Sequence, residues 1–204
     1  MTGTERREQL IDVARALFAE RGFTAASIEE IAVRGRVSKP VVYEHFGGKD
    51  GLYAVVVERE MRDLLSRIAA ALVEDEACHP RMLLQRAADA FLGYIEENAG
   101  GFRVLVRDSP VAGGGGTFSS LLGEIARRVE HVLGREFALR GVDESLAGLY
   151  SQALVGMVAL TGQWWLDVRA PARDEVAAHL VNLAWHGLSG IDGVAGVEVV
   201  ESPY

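Results

Sequence analysis

"VSKPVVYEHFGGKD", Val37 to Asp50, decides how the rest of the chain is read. Ser38 is a residue type that caps helix N-termini, and Pro40 in the first turn removes only an amide that has no intrahelical acceptor. The spacing predicts a short helix from about Lys39 to Phe46, closed by Gly47-Gly48. Val42 and Phe46, four apart, face inward, which turns Lys39, Val41, Tyr43, Glu44 and His45 to the outside or the edge. A helix this short is not stable alone and needs neighbours to brace it.

The braces lie upstream. Ser27-Ile28-Glu29-Glu30 has the S-x-x-E form of a capping box, opening a second short helix with Ile28, Ile31 and Ala32 inward and Gly35 near its end. Before it, Leu10, Ala14, Leu17 and Phe18 recur at helical spacing opposite Arg6, Glu8, Asp12, Arg15 and Glu20, so Thr4 to Arg21 reads as an amphipathic helix stopped at Gly22. Two short helices with a turn of about four residues between them, braced by a longer one, make a helix-turn-helix pattern.

Downstream the signals stay helical. Lys49 to about Ile68 continues into Val73; Arg81 to Asn98 carries Leu84, Ala87, Ala88, Phe91 and Ile95 on one stripe. Phe102 to Asp108 is a short apolar piece closed by Ser109-Pro110, and Ala112 to Gly116 is a glycine loop. Thr117 to about Leu139 is amphipathic, Asp143 to Val168 is apolar nearly all round, and Arg173 to Leu188 puts Val176, Leu180, Leu183, Ala184 and Leu188 inward. No strand pattern and no internal repeat emerges, so the expected fold is all-α with about nine helices, and residues 191–204 form a frayed or mobile tail.

Composition limits the function classes. The 204 residues are 49% hydrophobic and 25% charged, an ordinary globular balance with a net charge of −8. Residues 1 to 50 balance eight cations against eight anions, so the acid excess lies beyond them, and from Arg34 to Lys49 four cations face only Glu44. A local basic island matters more to a nucleic-acid partner than the average charge. The single cysteine, Cys78, excludes an intramolecular disulfide, and no export signal opens the chain, which fits the cytoplasm. The longest apolar run, Ala153 to Gly162, is too short to span a bilayer, so no membrane partner is expected. His179 and His186 stand seven apart, wider than the i, i+4 pairs that chelate metal on a helix; no metal and no cofactor are expected. Periodicity assembles no paired acids, nucleophile with base, or converging ligands, so the chain does not read as an enzyme.

Ile31-Ala32, Val37-Ser38-Lys39, Tyr43, His45-Phe46, Lys49 and Leu52-Tyr53 together resemble the TetR family of bacterial transcriptional regulators. The similarity is strong over roughly residues 6 to 65 and beyond them rests on length and helix number. It implies an N-terminal three-helix DNA-binding domain, a C-terminal all-helical effector domain, and a homodimer joined through the last two long helices. The expected division is 4–50 for the head, with the helix-turn-helix at about 27–46 and a linker helix from 49, and 51–190 for effector binding and dimerisation. Two positions depart from the family pattern. Arg36 stands where the family usually has the turn glycine, with Gly35 just before it; either Arg36 adopts a left-handed conformation at a cost of order 1 kcal/mol, offset by a phosphate contact, or the turn is shifted by one residue. Gly47-Gly48 replaces the usual proline or polar residue before Lys49.

Major-groove reading needs donors and small apolar surface near a helix N-terminus, which Lys39, Pro40, Val41 and Glu44 offer. Ser38, Tyr43, His45 and Lys49 are placed to clamp flanking phosphates, with Arg36 upstream. Ser27 is first a cap and secondarily a phosphate contact; Arg34 is as readily a surface residue as a contact. In the C-terminal part Phe91, Tyr94, Phe102, Tyr150, Met157, Thr161, Trp164 and Trp165 are candidate ligand-lining residues, with Gln152, Gln163 and His131 as polar partners, although apolar stripes do not distinguish filled core from open pocket. Helices 143–168 and 173–188 would pair with their copies as a four-helix bundle across a twofold axis. The expected protein is a homodimeric repressor on a palindromic double-stranded DNA operator, released by a small apolar or amphipathic effector. The alternative is a DNA-binding scaffold with a filled core that answers to a protein partner.

Overall fold

The computed structural model describes residues 2–73, 79–107 and 117–189. Cys78, the Ala112–Gly116 loop and the tail from 191 lie outside the described residues. Among those described there are nine α-helices and no strand: α1 (Gly3–Ala25), α2 (Ile28–Gly35), α3 (Lys39–Phe46), α4 (Lys49–Ala71), α5 (Pro80–Glu97), α6 (Ala99–Val106), α7 (Thr117–Arg140), α8 (Ala147–Val168) and α9 (Arg173–Ser189). A single 3₁₀ turn, Glu144–Leu146, leads into α8.

The start of α1 is set by a reciprocal capping box. The Thr2 amide donates to the Glu5 carboxylate at 2.7 Å, and the Glu5 amide donates to the Thr2 hydroxyl at 3.2 Å. Gly22, expected to stop this helix, kinks it instead: at φ 76°, ψ 170° it leaves helical geometry, and the chain turns on to Ala25. Leu10, Ile11, Ala14, Leu17 and Phe18 form the buried face of α1. Against them pack Ile28, Ile31 and Ala32 of α2, Val42 and Phe46 of α3, and Leu52, Tyr53 and Val56 of α4.

This core does not end with the head. It runs on through Leu64 and Ile68 of α4, Phe91 and Leu92 of α5, Phe102 of α6, Leu121 of α7, Trp165 of α8 and Val181 of α9. Helix α6 packs on α1, so the first and sixth helices meet directly, while α4 packs on α1 and α3 of the head and on α5, α6 and α7 beyond it. A second small cluster, Leu133, Phe137, Val142 and Ala147, closes the far end between α7 and α8.

Helix α8, apolar nearly all round, is expected to bury one side in the interior and the other against its copy across the twofold axis. In the single chain Val155, Ala159, Trp165 and Leu166 are buried, but a stripe at the other side is open: Leu160 is 66% exposed and Trp164 54%, with Leu149 and, on α9, Leu183 similarly bare. The stretch Glu144–Val168 is, by length and composition, long and apolar enough to cross a membrane, a property hidden when only the uninterrupted run Ala153 to Gly162 is counted.

Candidate nucleic-acid interface and effector cavity

The turn between α2 and α3 is closed by hydrogen bonds from the Arg36 amide to the Val33 carbonyl at 3.1 Å and from the Val37 amide to the Ala32 carbonyl at 2.9 Å. Arg36 sits at φ 54°, ψ 45°, in the left-handed region, so the turn is not shifted. Gly35 is needed for another reason: a Cβ there would lie 2.8 Å from Leu10 Cδ2 of α1. The glycine provides the close approach of two helices, and the arginine takes the backbone conformation that glycine usually supplies. At the other end of α2 the Ser27 hydroxyl accepts from the Glu30 amide at 3.2 Å. Only that half of the expected box forms, because the Glu30 carboxylate turns to Arg21 at 2.9 Å.

On α3, Ser38 takes the N-cap position without a side-chain capping bond, leaving its hydroxyl exposed. Arg36, Lys39, Pro40, Tyr43 and Glu44 are exposed, while Val41 and His45 are half-buried. Val42 and Phe46 are inward, as their spacing required. Two contacts were not anticipated. The Lys39 ammonium pairs with Glu29 of α2, which holds the Glu29 carboxyl below the usual carboxylate range through that hydrogen bond. The Arg7 guanidinium of α1 stands 5.3 Å over the Phe46 ring, bringing a further cation to the end of α3.

Lys49 calls for a correction. Its ammonium does not face outward with Lys39; it donates to the carbonyls of Phe23 at 3.0 Å and Ala26 at 3.1 Å and lies 4.5 Å over the Phe23 ring. The C-terminal end of α1 leaves carbonyls without intrahelical donors, and the helix dipole there attracts a cation. Arg34 is likewise engaged, donating to Glu20 of α1 at 2.9 Å, and this bond holds the Glu20 carboxyl below its usual range.

Below the head, α4, α5, α7, α8 and α9 surround a cavity of about 210 Å³. Leu83, Leu84 and Phe91 line it from α5; Ile125, Val129, Leu133 and Phe137 from α7; Met157 and Val158 from α8; and Leu180, Val181 and Trp185 from α9. Among the described residues, charge enters the wall only through Glu136 and Arg140, and the Arg140 guanidinium stacks over the Trp185 ring at 5.7 Å.

Of the eight residues expected around a ligand, this cavity brings together Phe91 and Met157. Tyr94, Phe102 and Trp165 are buried away from it: Tyr94 bonds Glu60, Phe102 meets Phe91 edge-on at 5.8 Å, and the Trp165 indole donates to the Pro171 carbonyl at 2.8 Å. Tyr150 packs edge-on against Phe137 at 5.6 Å, Thr161 is half-buried outside the wall, and Trp164 is exposed. Gln152, Gln163 and His131 face solvent. Adjacent residues on a helix point about 100° apart, and at this place on α8 the offset turns Trp165 into the core and Trp164 to the surface.

Comparison with known proteins agrees with this geometry. Residues 10–56 match the family model described as bacterial regulatory proteins, tetR family, and residues 80–187 match a tetracyclin repressor-like C-terminal domain. The HTH-type transcriptional activator FasR of Mycolicibacterium smegmatis is 32% identical over 192 residues, covering 92% of this chain and 84% of that protein. A TetR-like transcriptional regulator from Rhodococcus sp. RHA1 superposes with a TM-score of 0.71 at 28% identity, over 91% of this chain and 97% of that one. A tetR-family regulator from Streptomyces coelicolor does so with a TM-score of 0.69 at 29% identity, over 93% and 82%. A head built on an exposed α3, a cavity-bearing helical body and matches over both parts place the chain among transcriptional regulators that bind DNA: it belongs to the TetR family.

Proposed function

We propose that the chain acts as a homodimer in the cytoplasm, that its two copies of α3 enter major grooves of a palindromic operator, and that a small apolar or amphipathic molecule in the cavity releases it. The observation that carries the DNA-contact assignment is the outer face of α3, where Lys39, Pro40, Tyr43 and Glu44 stand exposed on a helix anchored from behind by Val42 and Phe46. Lys39 and Glu44 are suited to base edges, Val41 and Pro40 to thymine methyls, and Ser38, Arg36, Tyr43 and His45 to phosphates. Ser27, whose hydroxyl is already used on the Glu30 amide, adds at most a second bond to phosphate. The head is taken as residues 4–50 and the effector and dimerisation part as 51–190.

The dimer assignment rests on the stripe Leu149, Ala153, Leu160 and Trp164 of α8 beside Leu183 of α9. Its helical spacing suits a twofold four-helix bundle, in which the same faces meet across the axis. Covering that stripe also accounts for the hydropathy of α8 without a bilayer. The ligand assignment rests on the cavity wall, apolar except for Glu136 and Arg140. An open cavity of this kind disfavours the alternative of a filled scaffold.

Release by ligand gives repression when the operator overlaps a promoter; the relative from Mycolicibacterium smegmatis bears the name of an activator. Selection from a random duplex pool tests the core of the proposal. A palindromic site should be enriched, and a Lys39→Ala, Tyr43→Ala double variant that folds normally should lose it. No enriched sequence, or retention by the double variant, would refute the assignment of α3.

A further inference from the structure

Glu60 is a carboxylate in the middle of α4, 3% exposed, and among the described residues it is the charged side chain that the buried interior holds. Its surroundings come from three other helices. The Tyr94 hydroxyl of α5 donates to Glu60 Oε2 at 2.7 Å, and the Arg15 guanidinium of α1 stands 3.6 Å from Oε1. Gly101 of α6 leaves room for the group, since a Cβ there would overlap the carboxylate and reach 3.0 Å from the Tyr94 hydroxyl. Burial, with the charge of Glu60 next, pushes the Tyr94 phenol far above its ordinary range, so it serves as a fixed donor.

A buried carboxylate is costly unless paired, and an apolar residue of similar volume would often stabilise the fold as much. The position therefore asks for a role beyond stability. Its location supplies one. Arg15 belongs to α1, on which α2 packs, α4 packs on α1 and α3 of the head and on α5 of the body, and Tyr94 stands one turn from Phe91, which lines the cavity. Phe102 touches both rings, at 5.8 Å from Phe91 and 6.5 Å from Tyr94. A displacement of the cavity wall at Phe91 thus reaches the Tyr94 hydroxyl through one helical turn and one packed ring.

We propose that Glu60 is a positioning residue, latching α1 to α5 through Arg15 and Tyr94, and that this latch carries the coupling between the head and the cavity. The inference rests on the reading of the chain as a DNA-binding regulator with an effector cavity. A ligand that shifts Phe91 withdraws the Tyr94 hydroxyl from Glu60, and the Arg15 side of α1 is freed with it. Because coupling is reciprocal, operator binding at the head tightens the same bonds and orders the cavity wall.

Reciprocity permits a test without the natural ligand. The probe is the duplex selected by the wild-type protein, and the readout is amide hydrogen exchange over residues 80–106 with and without saturating duplex. In the wild type, the duplex should slow exchange in α5 and α6. Tyr94→Phe and Glu60→Gln, each near-isosteric, should still bind the duplex while losing more than half of that slowing. The double variant should lose no more than either single, because the three side chains act as one unit. Full wild-type slowing in either single variant, additive losses in the double, or a duplex-bound wild type with unchanged α5 and α6 would overturn the latch while leaving DNA binding intact. A wild type that selects no duplex would overturn the parent reading, and the latch with it.

Discussion

Exchanging the roles of the two residues that close α2 should move stability in opposite directions. Arg36 holds φ 54°, ψ 45°, a conformation that costs a residue with a Cβ about 1 to 2 kcal/mol. Arg36→Gly removes that strain but returns about 0.4 to 1 kcal/mol to the unfolded chain as entropy, leaving a net gain of about 0.5 to 1 kcal/mol. Gly35→Ala places a methyl 2.8 Å from Leu10 Cδ2, a fully buried side chain that must move, and overpacking of this kind costs about 1 to 3 kcal/mol. Urea denaturation followed by far-ultraviolet circular dichroism resolves both, at one fixed protein concentration because association stabilises the folded chain. With a slope of about 2 kcal/mol per molar, the midpoint should rise by about 0.3 to 0.5 M for Arg36→Gly and fall by about 0.5 to 1.5 M for Gly35→Ala. If Arg36 touches a phosphate, its loss should also reduce the slope of log affinity against log salt by about 0.9. A midpoint that falls for Arg36→Gly as far as for Gly35→Ala would refute the division of labour between the two residues.

Three further outcomes follow from the geometry. Lys49→Met should destabilise the fold by about 1 to 2 kcal/mol, through loss of charge-assisted bonds to the end of α1, while leaving the salt slope of operator binding unchanged; a reduced slope with full stability would restore Lys49 as a phosphate contact. Leu160→Glu should yield a monomer in sedimentation velocity, since it puts a charge in the middle of the bare α8 stripe; an intact dimer would move the interface elsewhere. Val158→Trp should fill the cavity, so that enhancement of anilinonaphthalene sulfonate fluorescence is lost while operator binding persists; undiminished enhancement would mean that the dye, and by extension an effector, binds elsewhere.

The helices were legible because their cores repeat at the helical period: Leu10, Ala14, Leu17 and Phe18 on α1 or Val42 and Phe46 on α3 leave no other reading. The inward turn of Lys49 was not legible, because a four-carbon side chain can reach either a phosphate or the end of a neighbouring helix, and only the tertiary approach of α1 decides. Glu60 carried a signal that went unused. It falls in the buried series Tyr53, Val56, Val57, Leu64 and Ile68, so the α4 period already placed it inside. For the cavity the difficulty is intrinsic. Phe91 and Phe102 are both buried aromatics, and only packing in three dimensions separates a wall from a filled interior. The adjacent tryptophans of α8 are the opposite case, since one residue of offset was enough to divide buried Trp165 from exposed Trp164.

The central claim is that two copies of α3 read one operator in register. Hydroxyl-radical footprinting on the selected duplex measures this most directly. Two protected windows are expected on one face of the DNA, centred one helical turn or a whole multiple of a turn apart, related by the palindrome and both lost in the Lys39→Ala, Tyr43→Ala variant. A single window, or continuous protection indifferent to sequence, would contradict it.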